Sequence, residues 1–391
     1  MTDSCSKILV VDDEPDLQLL MKQKFRKKIR NSEYAFFFAE DGLQALDIIR
    51  EEQEIHLILS DINMPNMDGL TFLNEVQKLN RRELKTVMVS AYGDMENIRT
   101  AMNGGAYDFV TKPIDFRDLE TTIEKTLSEI EQYLSALEAQ KQLEALSYDL
   151  DMAARIQQKL LRKDFPVYTD DTRFEIYAKM IAAKYVGGDF YGFFKFDKDH
   201  LVFYTGDVSG KGMPAAIYMA VCQTMLKAIG SQVLSPAEAL TQVNRMLIPE
   251  SDISTFVTVF YGVLNVSTGT FAYCNGGHNL PCLLKADGSV SELEDVGGLL
   301  LGKFDGMPYL EQTIQLHPGD QIVTFTDGVT EAENPSGEMY EEERLISFLQ
   351  NNAGSGTDTL VNALFSEVQG FAGEAPQSDD ITVLAVRFGR D

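Results

Sequence analysis

The sequence predicts an α/β doubly wound domain, then a long helical linker, then an α+β domain in which a β-sandwich is flanked by helices. Three observations carry that expectation. Residues 7 to 120 alternate short apolar strands with helical stretches, residues 116 to 161 contain neither proline nor glycine, and strand-like runs with hairpin turn signals dominate after residue 164. With 391 residues, 44% of them apolar, the chain can bury more than one core.

In the first segment the order is KILVV, a helix over Pro15 to Ile29, YAFFFA, a helix over Gly42 to Arg50, then HLILS, TVMVS and DFVTK. Near-continuous apolar strands separated by helices read as a parallel sheet covered on both faces. Ligands of such sheets sit at the carboxyl ends of the strands.

The linker carries Ile123, Leu127, Ile130, Leu134 and Leu137 at spacings of four and three, the pattern of a coiled-coil seam. A second seam, Leu143, Leu146, Leu150, Ala153 and Leu160, runs out of phase because Leu137 and Leu143 lie six apart. Self-association of this helix is the expectation, with packing on its own domain as the alternative. The boundaries drawn are 1–120, 121–163 for the coiled-coil linker, and 164–391.

In the last segment, FEIYAKMI, LVFYTGDV, TFVTVFYGVLNV, GTFAYCN, CLLKA, QIVTFTDG and ITVLAVRF surround helices near 214 to 229 and 236 to 247. Turn signals at Ser267 to Gly269 and at Asp287-Gly288 call for antiparallel hairpins.

A formal net charge of -26 repels a phosphate backbone and argues against nucleic acid as a partner. The basic run Lys22, Lys24, Arg26, Lys27, Lys28 and Arg30 reads as a solvated helix face, one that can also meet an acidic partner. Cys5, Cys222, Cys274 and Cys282 show no paired spacing and read as reduced thiols. No leader pattern and no apolar run of membrane-spanning length is present, so a cytoplasmic protein without membrane attachment is expected.

Polar residues collect where the strands of the first segment end: Asp12 and Asp13 after the first, Asp61 after the third, Ser90 after the fourth, Lys112 before Pro113 after the fifth. Carboxylates so gathered repel unless they hold a hard cation, and Mg²⁺ suits few carboxylates plus water and phosphate oxygen. One carboxylate is then free as a nucleophile toward phosphorus, while Lys112 and the Ser90 hydroxyl meet the phosphoryl oxygens. VVDDE, SDINMPNMDG, VSAYG and FVTKP, in that order, resemble the response-regulator receiver family over about residues 7 to 125. The resemblance implies phosphorylation of Asp61 by a cognate sensor histidine kinase and Mg²⁺ held by Asp12, Asp13, Asp61 and the Asn63 carbonyl. It further implies Ser90 as switch, Lys112 as anchor, Phe109 as the rotating aromatic, and a cis Lys112-Pro113 peptide.

The last segment places aspartates in turns after strand-like runs: VGGDF, TGDVSGKG, FTDGVTEA and QSDDITVL. Asp189, Asp207, Asp327 and Asp379 form an oxygen-only donor set suited to Mg²⁺ or Mn²⁺ and poor for Zn²⁺. Two such ions can polarise a phosphate ester and acidify a water for in-line attack. VGGDFY, GDVSGKGMPAA, NGGHNLP, PGDQIVTFTDGVTEAEN and DDIT resemble the PPM (type 2C-like) phosphatases, specifically the bacterial branch that dephosphorylates antagonists of anti-sigma factors. Carried over residue by residue, Asp207 bridges both ions with the Val208 carbonyl on one of them. Asp327 and Asp379 complete the other, Asp189 serves the second, and Asp380 matches a neighbouring, usually non-ligating position. Gly192 departs from the branch, which usually has aspartate after FY, and Ala182-Ala183 stands where proline is common. His278 in NGGHNL reads as a hairpin residue ahead of a general acid. GDVSGKG fails the spacing of a nucleotide-binding loop.

The expectation is a response regulator whose Asp61 controls metal-dependent hydrolysis of phosphoserine or phosphothreonine on an anti-sigma factor antagonist, as a homodimer through the linker. RIQQKLL resembles the regulatory helix that precedes this phosphatase branch. An adaptor that keeps the fold only to bind a partner is the alternative, and the sign of control is open.

Overall fold

The computed structural model describes residues 5–91, 94–161, 165, 168, 170–250 and 255–389. Tyr92 and Gly93 of VSAYG and the linker end at 162–163 lie outside them. The chain divides into two compact units, Met1–Leu146 and Ser147–Asp391.

In the first unit β1 (Ser6–Val11), β2 (Tyr34–Ala39), β3 (Ile55–Asp61), β4 (Lys85–Ala91) and β5 (Asp108–Lys112) form one sheet in the order β2-β1-β3-β4-β5. Every pairing is parallel. The connecting helices are α1 (Pro15–Lys24), α2 (Arg26–Arg30), α3 (Gly42–Glu51), α4 (Gly69–Lys78) and α5 (Met95–Asn103), and α6 (Phe116–Leu160) follows β5. The two-residue period of β1 divides its side chains between faces. Ile8 and Val10 pack with α1 and the start of α6, while Leu9 and Val11 pack with α3 and α4. The doubly wound expectation therefore holds. The single helix expected over Pro15 to Ile29 instead breaks at Phe25, whose ring turns into the core against Phe36 at 5.5 Å and Tyr34 at 6.1 Å.

Absence of proline and glycine does give one continuous helix, α6. Its first seam, however, is largely spent inside its own unit: Leu119, Ile123, Leu127 and Ile130 are buried in the core beside Val87 and Val110, with Leu134 packed on the edge. The alternative of packing on its own domain holds for that stretch. Leu143, Leu146 and Tyr148 further along are exposed.

The second unit stacks two five-stranded antiparallel sheets. One has the order β13-β10-β9-β8-β7 and the other β12-β11-β14-β15-β6. The strands are β6 (Phe174–Ile181), β7 (Phe190–Lys195), β8 (His200–Val208), β9 (Val257–Asn265), β10 (Thr270–Gly276), β11 (Cys282–Leu284), β12 (Val290–Glu292), β13 (Gln312–Gln315), β14 (Gln321–Phe325) and β15 (Ile381–Phe388). The helices are α7 (Met213–Gly230), α8 (Pro236–Leu247), α9 (Asp327–Thr330), α10 (Glu341–Asn351) and α11 (Thr357–Ala372).

The main core joins both inner faces and the apolar sides of α7 and α8. Stacked pairs such as Phe203–Phe271 at 5.4 Å and Tyr204–Tyr261 at 5.8 Å fill it. Burying each such ring is worth roughly 1.5–3 kcal/mol. Along β15, Leu384 and Val386 face that core, whereas Val383 and Ala385 face a second one under α10 and α11. The layers thus run helix, sheet, sheet, helix. Gly269 and Gly288 take φ of 77° and 87° in the two expected hairpin turns.

Candidate functional site

At the carboxyl end of the parallel sheet, β1 and β3 lie side by side and deliver Asp12 and Asp61, both buried, next to exposed Asp13. One carboxylate oxygen from each of the three lies within 4.8 Å of the other two. The end of β5 brings Lys112, whose Nζ donates to Asp61 Oδ2 at 2.7 Å, Asp12 Oδ2 at 3.0 Å and Glu14 Oε1 at 3.2 Å. Burial pushes the Lys112 ammonium down, but the bonds to Asp61 and Asp12 outweigh it and its pKa ends well above the ordinary value. Burial raises Asp12.

Asp61 Oδ1 accepts the Ile62 amide at 2.6 Å and, more weakly, the Asn63 amide at 3.4 Å. Ser90 is fully buried and its Oγ makes no hydrogen bond. Phe109 is 38% exposed. The Lys112-Pro113 peptide is cis.

In the second unit the sandwich brings the four predicted aspartates to one end. Asp207 is the last but one residue of β8, Asp189 immediately precedes the neighbouring β7, Asp327 follows β14, and Asp379 precedes β15. Across the sandwich a 2.5 Å bond between the Thr205 and Thr324 hydroxyls ties β8 to β14, so these strand ends meet. Asp189 is buried and accepts the Thr326 hydroxyl at 2.7 Å. Burial, then the neighbouring Asp207, push its carboxyl well above the usual range.

Asp207 is pushed up to about 7 by burial and by Asp327, against a lowering bond from Asp189, with Asp379 and Asp380 adding to the rise. Asp327 is raised by burial, and its Oδ1 is buried without a hydrogen bond. Val208 is buried, and its carbonyl abuts Gly188. The four aspartates do not form a trio as tight as the one at Asp61. Asp379 is paired with Lys211, whose Nζ lies 2.8 Å from Asp379 Oδ2.

Residues 8–124 match the response regulator receiver domain, and residues 197–389 match Stage II sporulation protein E (SpoIIE). Over 121 residues the chain is 32% identical to sporulation initiation phosphotransferase F of Bacillus subtilis, covering 31% of this chain and 93% of that protein. Over 240 residues it is 29% identical to phosphoserine phosphatase RsbU of Bacillus subtilis, covering 61% of this chain and 70% of that protein. The chain joins a response-regulator receiver domain to a SpoIIE/PP2C-type phosphatase domain. The SiaA-PP2C domain of Pseudomonas aeruginosa shares the phosphatase fold, with a TM-score of 0.55 at 22% identity over 63% of this chain and 98% of that one. The chain spans only 41% of the length of protein IcfG of Synechocystis, to which it is 27% identical over 61% of its own length. Among the described residues no helix is long and apolar enough to cross a membrane.

Glu14 was not singled out in the sequence, whereas Gln157 lies inside RIQQKLL and Asp380 stands beside the expected ligand Asp379. Glu14 joins Asp12 and Asp61 on Lys112, and the third acid of VVDDE was the signal for it. In the phosphatase domain Gln157, from the end of α6, grips Gly187 twice: its Nε2 donates to the Gly187 carbonyl at 2.6 Å and its Oε1 accepts the Gly187 amide at 3.1 Å. Asp380 accepts the amides of Ala183 at 2.8 Å and Gly188 at 2.7 Å. Its two oxygens therefore hold backbone. The loop that presents Asp189 is thus fastened from the helix side and from the β15 side.

His278 is buried; its Nδ1 bonds the Thr258 hydroxyl at 2.9 Å, and Asn275 bonds its backbone at both N–H and C=O. Burial lowers its pKa to about 4, against a weak opposing pull from the Phe325 carbonyl. That is the setting of a hairpin lock. Gly192 is a glycine for a local reason, since a Cβ there would lie 2.3 Å from the Tyr204 ring.

Proposed function

We propose that the phosphatase domain hydrolyses phosphoserine or phosphothreonine on a small regulatory protein, an anti-sigma factor antagonist, and that phosphorylation of Asp61 by a sensor histidine kinase sets its rate. The observation that carries the reading is the crowded, partly buried acid cluster: Asp207 pushed up to about 7 and Asp327 Oδ1 buried without a hydrogen bond. Carboxylates crowded in this way fit a donor set for hard divalent cations. Asp189, Asp207 with the Val208 carbonyl, Asp327 and Asp379 would hold two Mg²⁺ or Mn²⁺ ions. Such a pair supplies charge compensation for phosphoryl oxygens and a water of lowered pKa.

The chain's own groups orient that chemistry. Thr326 fixes one oxygen of Asp189, and Gln157 and Asp380 fix the loop that carries it. In the receiver, Lys112 holds Asp61 Oδ2 in place, Asp12 and Asp13 with the Asn63 carbonyl would hold Mg²⁺, and the Ser90 hydroxyl is free to donate to a phosphoryl oxygen. Gln157 gives control a physical handle, because displacement of the end of α6 withdraws two hydrogen bonds from the loop that bears Asp189. The functional division proposed is 1–120, 121–163 and 164–391, and the exposure of Leu143, Leu146 and Tyr148 supports a reading in which two copies pair through α6.

RsbU, by its name a phosphoserine phosphatase, supports the substrate class. The test is Mn²⁺-dependent phosphate release from a serine-phosphorylated antagonist protein, with and without a phosphoryl mimic on Asp61. A metal-dependent rate that changes with the mimic supports both halves of the reading. No metal-dependent release in either state leaves the adaptor.

A further inference from the structure

Lys211 is unused by the chemistry described so far. It lies in the turn after β8, between Gly210 at φ 91° and Gly212 at φ 81°. A Cβ at either glycine would meet nothing within 4 Å, so these glycines serve backbone conformation and not close packing. From this turn the side chain crosses to the segment before β15. Its Nζ lies 2.8 Å from Asp379 Oδ2 and donates to the Ser378 carbonyl at 2.8 Å. The other Asp379 oxygen, Oδ1, accepts the Asp380 amide at 2.8 Å. Both oxygens of the carboxylate thus already have a partner, and the one on Oδ2 is a cation. Lys211 also sits in the field of Asp380 and Asp327.

Resting on the reading of Asp379 as a metal ligand, we propose that Lys211 is an exchangeable counter-ion of the site: its ammonium and a divalent cation compete for the same oxygen of Asp379. Two cations on one carboxylate oxygen repel, so an ion that takes Asp379 Oδ2 displaces the lysine. The stem of four methylenes and the side chain's 48% exposure let the ammonium swing to solvent at little cost. Lys211 is then a positioning residue that sets how readily the Asp379 side of the site loads. It tethers the turn after β8, the strand that carries Asp207, to the segment that carries Asp379.

The test reads binding and chemical reactivity in the full-length protein. Amine-reactive labelling of Lys211, followed by peptide mass spectrometry, is compared with and without saturating Mn²⁺, and Mn²⁺ affinity is measured by calorimetry for wild type, Lys211→Met and Lys211→Arg, all with Asp12→Asn and Asp13→Asn in the receiver so that the cluster around Asp61 does not take up the ion. Release of the lysine raises its labelling on Mn²⁺ addition. Loss of a half-exposed ion pair tightens Mn²⁺ binding by about two- to five-fold in Lys211→Met, while Lys211→Arg stays near wild type. Wild type that binds Mn²⁺ with unchanged Lys211 labelling, or a Lys211→Met variant with equal or weaker affinity, overturns the counter-ion and leaves the hydrolase reading intact. A wild-type chain that takes up no Mn²⁺ overturns both.

Discussion

Replacing Gln157 with leucine keeps the volume of a buried side chain and deletes both of its bonds to Gly187. The Gly187 amide and carbonyl are then left without partners in a buried loop. Each orphaned group costs on the order of 1–3 kcal/mol, which sets a ceiling of about 6 kcal/mol. The end of α6 lines a cavity of about 510 Å³ with Val186 and Met213, and water entering there would recover part of the loss. We therefore expect roughly 2–3 kcal/mol to fall on the conformation of the loop that carries Asp189, about a 30- to 150-fold change in its occupancy. Phosphate release at saturating Mn²⁺ should drop by at least tenfold in Gln157→Leu, with a lower unfolding midpoint. Gln157→Glu keeps the acceptor for the Gly187 amide but turns an oxygen toward the carbonyl, and should fall between. Wild-type turnover and an unchanged melting curve in Gln157→Leu would refute the coupling.

Asp327→Ala should lower turnover by more than the 10- to 100-fold typical of losing a mere supporting partner at a metal site, while the unfolding midpoint holds or rises, because burial disfavours the charge of the carboxylate removed. Retained metal-dependent activity would sink the ligand assignment. His278 gives a sign for acid stability. Its folded pKa, about 4, lies below the unfolded value, so the unfolded chain takes up the proton first and stability falls as pH drops from about 6.5 to 4. The urea midpoint should fall less over that window in His278→Gln than in wild type, and parallel curves would contradict the assignment. Gly192→Asp, which installs the residue common in the phosphatase branch, should destabilise by at least the 1–3 kcal/mol of overpacking, since its Cβ lands on the buried Tyr204 ring; an unchanged denaturation midpoint would show that Tyr204 can move aside.

Local chemistry decided what could be read in advance. Parallel strands buried on both faces leave apolar runs such as KILVV and HLILS, and acids at their ends can only be ligands or liabilities, so the cluster around Asp61 was legible. Ile123, Leu127 and Ile130 were legible as a helical stripe but not as a stripe spent on the helix's own sheet, because spacing does not name the surface that a stripe meets. RIQQKLL was legible as a regulatory helix, but the contact made by Gln157 within it was not: a glutamine in a helix is ordinarily solvated, and its worth comes from a carbonyl and an amide thirty residues away in sequence. Lys211 was visible only as one letter of a glycine turn, since the Ser378 and Asp379 groups that hold it arrive from the far end of the chain.

The double fastening of the Asp189 loop bears on how this domain can change over generations. A methyl group at position 187 would sit 2.2 Å from an Asp380 oxygen, and one at 188 would sit 2.7 Å from the Val208 carbonyl. Neither site can take even alanine without moving the groups that hold the loop. Random drift is closed there, and a mutant library meant to retarget the domain gains nothing by sampling it. New preferences have to be written on exposed neighbours such as Lys184 and Tyr185, where a side chain can change without disturbing the anchor beneath it.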